Sequence, residues 1–179
     1  MADFEIITEG TLGGASHTID FTSIPQTYKH LQIQFTARCS VFRSYPDGGE
    51  IQCNGVTSNN YGVIGAIMSS SGSSSSMMNL NLGTRPQVDS AIYIVNGAMA
   101  ANTFAINKIL IPDYAGTTNV AKMLLCETTA GGYTTNYRVG FAAGSFYSGA
   151  AGITQVTLKS ETSTNQFAAG CSYWLAGWK

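Results

Sequence analysis

The stretch "SIPQTYKHLQIQFTARCS", Ser23 to Ser40, alternates almost without a break after its proline. Leu31, Ile33, Phe35, Ala37 and Cys39 fall on one parity; His30, Gln32, Gln34, Thr36 and Arg38 fall on the other. A period of two sends successive side chains to opposite faces, so this segment reads as a strand with one dry and one polar face. Solvent is the expected neighbour of the polar face, ahead of a second subunit or a substrate.

The same texture continues in both directions. Strands are expected over Phe4–Thr8, His17–Phe21, Lys29–Ser40, Glu50–Asn54, Tyr61–Met68, Met77–Leu82, Ser90–Val95, Thr103–Ile111, Val120–Glu127, Tyr137–Ala142, Thr154–Ser160 and Ala168–Gly177. Turn-forming clusters such as "GTLGG", "PDGG", "NGVTSNN", "GTRP", "DYAGTTN" and "TAGG" separate them. Pro25, Pro46, Pro86 and Pro112 all fall at strand borders, where a missing N–H is tolerated. No apolar stripe repeats at 3.6 residues. Many short strands with glycine-rich turns predict an all-β protein, an antiparallel β-sandwich of jelly-roll type with little or no helix. The expected organisation is one domain over residues 1–179, with a flexible serine-rich loop at 69–76 inside "SSSGSSSSMM" (Ser69–Met78).

Composition narrows the function classes. The chain has 179 residues, 20 of them glycine and 11% charged, with a net charge of -1. That balance disfavours nucleic-acid binding, which relies on a basic excess. No apolar run approaches the roughly 20 residues of a membrane helix. "MADFEIITEG" is acidic where a secretory leader is basic, so no leader is expected. Cys39, Cys53, Cys126 and Cys171 fit no zinc spacing and lie in apolar or alternating runs, so they read as small buried hydrophobes, with the even count leaving disulfides open.

Catalytic signatures are thin. His17 and His30 stand on strands near turns without a motif around them, and no nucleophile elbow, zinc-protease or phosphate-loop pattern stands in a suitable context. "GFAAG" (Gly140–Gly144) reads as a strand end, and the ten carboxylates cannot be paired from sequence. "YPDGGE" (Tyr45–Glu50) offers Asp47 and Glu50 to a calcium ion, but Pro-Asp-Gly-Gly is sufficiently explained as a turn. The expectation is therefore a protein with no catalytic residues, metal or cofactor. Tyr133, Tyr137, Phe146 and Tyr147, set among Gly, Ser and Thr, are the candidate contacts for a glycan or a protein neighbour. The ending "CSYWLAGWK" reads as a packed final strand.

Four phrases give the chain a resemblance. They are "IDFTSIPQTYKHLQIQFTAR" (Ile19–Arg38), "NGVTSNNY" (Asn54–Tyr61), "IPDYAGTTNVAK" (Ile111–Lys122) and "ITQVTLKS" (Ile153–Ser160), the last followed by Phe167 and "YWLAGWK" (Tyr173–Lys179). In this order they resemble small β-rich virion proteins of bacteriophages, including marine and cyanobacterial ones. Ala176-Gly177 and Trp178 depart from that pattern, which places a tyrosine–glycine pair and an aliphatic residue there. The resemblance marks Pro25, Tyr28, Asn54, Gly55, Tyr61, Asp113 and Tyr114 as motif residues. It implies a non-enzymatic structural protein on the virion exterior, a capsid decoration or head-fibre protein. A receptor-binding fibre tip that holds host polysaccharide is the alternative. Implied partners are the chain itself, with a trimer favoured, and other virion proteins such as capsid or fibre subunits. Nucleic acid and membrane are not expected partners.

Overall fold

The computed structural model describes residues 4–41, 47–71, 74–85, 87–95, 97, 99–100, 102–118, 120–131, 137–147 and 149–179. Twelve strands follow one another: β1 Phe4–Thr11, β2 Thr18–Phe21, β3 His30–Ala37, β4 Asp47–Cys53, β5 Tyr61–Ser71, β6 Ser74–Arg85, β7 Val88–Ile94, β8 Ala105–Pro112, β9 Lys122–Gly131, β10 Tyr137–Phe146, β11 Val156–Ser160 and β12 Ser172–Trp178. Among the described residues there is no helix. All twelve expected strands are present.

They form two antiparallel sheets packed as a sandwich. The large sheet has the order β1-β12-β3-β8-β9-β10-β5-β6 and the small one β2-β11-β4-β7. A jelly roll places eight strands in two sheets; here twelve are divided eight and four. Leu31, Ile33, Phe35 and Ala37 of β3 are at most 1% exposed, so the dry parity of the opening stretch is the inner layer. Ile109 and Ile111 of β8, Leu124 of β9, Ile51 of β4, Ile92 of β7 and Leu158 of β11 complete that layer from both sheets. Burying each such side chain contributes about 1.5–3 kcal/mol before conformational entropy opposes it.

Four expectations are corrected. The serine tract is strand rather than loose loop: β5 runs to Ser71, β6 starts at Ser74, and Ser69, Ser70 and Ser71 pair with Ser76, Ser75 and Ser74. Hairpin pairing overrides the coil preference of serine. "GFAAG" is the middle of β10, not its end, because the strand continues to Phe146. Its glycines let the small sheet approach: a Cβ on Gly144 would lie 2.8 Å from Val88 Cγ1. Asp47, Gly48 and Gly49 open β4 and pair with Ile94, Tyr93 and Ile92, so they are not a turn; Tyr45 and Pro46 lie outside the described residues. Arg38 does not join the solvent-facing polar parity. Its guanidinium donates to the carbonyls of Met99 (2.7 Å), Ala100 (2.9 Å), Gly97 (3.0 Å) and Thr103 (3.2 Å), holding the β7–β8 connection.

A buried polar network joins the layers at β7. The amide of Tyr93 on β7 donates to Asn107 Oδ1 (2.9 Å) on β8 and to Thr128 Oγ1 (3.0 Å) on β9. Asn107 Nδ2 donates back to the Tyr93 carbonyl (2.9 Å), and the Thr128 hydroxyl donates to Asn107 Oδ1 (2.6 Å). Each member of this buried network has a partner, the condition under which such networks are tolerated.

All four cysteines are free and buried. Burial pushes the Cys126 thiol from 9.0 up to about 12, and raises Cys53 and Tyr61 as well. A raised folded-state value means that this stability is present in full below about pH 9 and is lost as pH rises toward 12. The urea midpoint is expected to decline above pH 9, with the thiols unreactive toward maleimide until the chain unfolds. A folded protein that labels readily at pH 8 would contradict this.

Candidate functional site

The motif residues all serve the fold. The Tyr114 hydroxyl, on a fully buried side chain, donates to the Pro25 carbonyl. Tyr28 donates to Glu5 (2.6 Å), and its ring occupies the space above Gly177, where a Cβ would lie 2.4 Å from Tyr28 Cγ. Asn54 and Gly55 make the turn after β4 with positive φ values of 53° and 65°. Asn54 Oδ1 then accepts from the amides of Thr154 (2.8 Å) and Gln155 (3.1 Å), while Nδ2 donates to the Gly152 carbonyl (2.9 Å). The Tyr61 hydroxyl accepts from the Cys53 amide (2.8 Å), and its ring stacks on Phe146 at 4.8 Å. Asp113 takes a positive φ of 48°, and Lys122, itself buried, donates to the Gly116 carbonyl (2.6 Å) to close the same loop.

The histidines are likewise engaged. His17 Nδ1 lies 2.7 Å from Ser160 Oγ, and His30 Nδ1 accepts from the Asp113 amide (3.3 Å) with its ring 5.6 Å from that of Trp178. Glu50, one of the two carboxylates considered for calcium, is 3.4 Å from Lys159 Nζ. Among the described residues no three His, Cys, Asp or Glu side chains gather as a metal site.

The aromatic candidates do not converge. Phe146 is fully buried against Tyr61 and belongs to the core, because it falls on the inward parity of β10. Tyr133 lies outside the described residues. Tyr137 and Tyr147 are 56% and 47% exposed, but they stand at opposite ends of β10, roughly 30 Å apart at the rise of an extended strand.

Between those ends lies the surface that the sequence reading missed. The outward parity of the large sheet carries Phe141 on β10, Met123 and Leu125 on β9, Ile64 and Met68 on β5 and Ile106 on β8, all substantially exposed. Registers Ala143↔Ile64 and Ala143↔Leu125 make this face continuous across three strands. Two shallow grooves cross it. One of about 400 Å³ runs between Ile64, Leu125 and Phe141. The other, of about 570 Å³, runs past Ile64 and Met123 to Asn59, Asn60 and Tyr147. The Tyr147 backbone is fixed to Asn60: its amide donates to the Asn60 carbonyl (2.9 Å) and its carbonyl accepts from Asn60 Nδ2 (3.1 Å). A charged pair, Lys108 and Glu127 at 3.6 Å, borders the apolar area toward β8. Exposed apolar patches of this kind mark interaction surfaces. The sequence signal was available: in "MLLC" of β9 both parities are apolar, as in strands covered on two sides.

No protein-family profile matches the chain, and no curated protein does. Among solved structures it is similar, at 12% identity and a TM-score of 0.39, to a GH43 glycoside hydrolase engineered in its active site to display endo-xylanase and exo-arabinofuranosidase activity. It is also similar, at 12% identity and a TM-score of 0.29, to the binding domain of botulinum neurotoxin DC in complex with SialylT. These matches cover 98% and 99% of this chain but only 36% and 42% of the other two.

Proposed function

We propose that the chain is a non-enzymatic structural protein of a bacteriophage particle, placed on the virion exterior as a capsid decoration or head-fibre protein. The observation that supports this reading is the apolar outward face centred on Phe141, Leu125 and Ile64. A decoration protein attaches by burying such a face against the capsid, where many copies add weak contacts. Partners are then the capsid or fibre subunits that meet this face, and other copies of the chain.

Cryo-electron microscopy of the intact particle tests the placement: density for this chain is expected over the capsid lattice, and its absence from the particle would sink the reading. Phe141→Asp and Leu125→Asp place an aspartate mid-strand, position 141 facing Glu127 across the ladder, so each is expected to cost about 1 kcal/mol while the protein stays folded. Attachment to purified particles lacking the protein is expected to fall by at least about tenfold, which is about 1.4 kcal/mol. Unchanged attachment by both folded variants would remove the apolar face from the proposal.

A second reading has its own support. Tyr147, with Asn59 and Asn60 beside it in the larger groove, gives an aromatic surface with polar neighbours, which suits a sugar ring at a fibre tip. In that case density would appear at a tail or fibre tip, and Tyr147→Ala would lower binding to host polysaccharide.

A further inference from the structure

The four sheet edges are not alike. β1 carries Glu5 and Glu9 and a register shift between Ile6 and Thr8. β2 is four residues long and includes Asp20, and β7 includes Asp89. Charge, bulges and brevity are the devices that keep an edge strand from pairing with another chain. β6 has them only toward its far end, where its register against β5 shifts between Asn81 and Gly83 and the strand closes on Arg85; Ser74 to Asn81 has neither. β6 is the longest strand, 12 residues, and reads "SSSMMNLNLGTR", with no charge or proline from Ser74 to Thr84. Among the described strands it pairs with β5 alone.

We propose that β6 is a self-pairing edge, joining antiparallel to β6 of a second copy about a two-fold axis so that the large sheet runs through both. The register against β5 sets Met78 and Leu80 opposite Ile67 and Gly65, positions of the inner layer. Met77, Asn79 and Asn81 lie opposite Met68, Ala66 and Ile64, positions of the outer layer. A two-fold centred on Asn79 sets Met78 against Leu80 of the second copy and Met77 against Asn81, which keeps the register parity seen against β5. A two-fold also brings a strand's charges back against themselves, which cross-strand pairing penalises. With no charge from Ser74 to Thr84, β6 is the edge among the described strands best suited to its own copy. Pairing uses up β6 on both copies and leaves the acidic β1 edges outside, so assembly closes at two.

This inference names a partner within the assembly reading but is measured on the isolated full-length chain, so each can fail alone. Sedimentation velocity should show a monomer–dimer equilibrium. Asn79→Lys and Asn79→Asp, each alone, set like charges opposite one another and should raise the dimer Kd about tenfold, while an equimolar mixture restores dimers near the wild-type level. Asn79→Cys should give a covalent dimer on mild oxidation, and Glu9→Cys on β1 should not; the native thiols are buried and do not compete. If the charged variants fail to fold, the cysteine variant decides. A monomer throughout, a trimer, or a dimer that neither responds to charge at position 79 nor cross-links there would overturn the proposal.

Discussion

Asn107→Leu is expected to remove about 3–5 kcal/mol of folding stability, read as a lower urea midpoint with an unchanged slope. Leucine keeps the branching of asparagine but carries two bulkier methyl groups, so overpacking at this fully buried site adds to the polar loss. The substitution deprives the Tyr93 carbonyl of its donor and leaves the Tyr93 amide with Thr128 Oγ1 alone. The Thr128 hydroxyl loses its acceptor in the same step. Two buried groups, the Tyr93 carbonyl and the Thr128 hydroxyl, each lose a hydrogen bond to Asn107, at about 1–3 kcal/mol apiece. Thr128→Val is the graded comparison: it removes a single hydroxyl while Asn107 keeps both Tyr93 groups bonded, so about 1 kcal/mol is expected. If Asn107→Leu stays within 1 kcal/mol of the wild type, the network is not what fastens β7 to β8 and β9.

Arg38→Ala is expected to cost about 2–4 kcal/mol, since hydrogen bonds from a charged donor are each worth about 1.5–3 kcal/mol before partial exposure reduces them. Four carbonyls of one connection converge on this guanidinium. Arg38→Lys should restore less than half, because an ammonium group lacks the planar fork that reaches separated acceptors. Limited proteolysis gives the local readout: cleavage within 97–103 is expected to accelerate in both variants before global unfolding does. Equal cleavage rates in wild type and Arg38→Ala would show that the loop is held by something else.

These two residues also mark what the sequence made legible. Strand positions were readable because alternation in segments such as His30–Ala37 and turn chemistry between them are local signals. Asn107 was visible as a break in the apolar parity of "AINKILIP", yet its partner could not be named, since Tyr93 lies on another sheet. Arg38 fell on the polar parity and read as solvated. The loop that captures it is distant in sequence and carries no charge to announce the contact. Composition misled at Ser69–Ser71 and Ser74–Ser76, where ladder pairing outweighs a coil-forming side chain. The contacts of the motif residues were not legible, since they rest on long-range pairs such as Tyr114 with Pro25 and Asn54 with Thr154. The candidate contact surface was the least legible part. Tyr137 and Tyr147 are exposed as expected, whereas the apolar face between them required knowing that no second layer covers the outward parity of β9 and β10.

The place of β12 has a consequence for how the protein is made. This strand is the last of the twelve to leave the ribosome, yet it lies between β1 and β3, which leave among the first. At ordinary elongation rates the early strands wait on the order of 10 s for their neighbour. During that interval β3 exposes the backbone that β12 later covers, in a nascent chain whose Ser74–Thr84 run has no charge to repel another. Chaperones and the spacing of ribosomes along the message therefore bear on the yield of native protein, and a rare-codon pause placed after β6 should lower it.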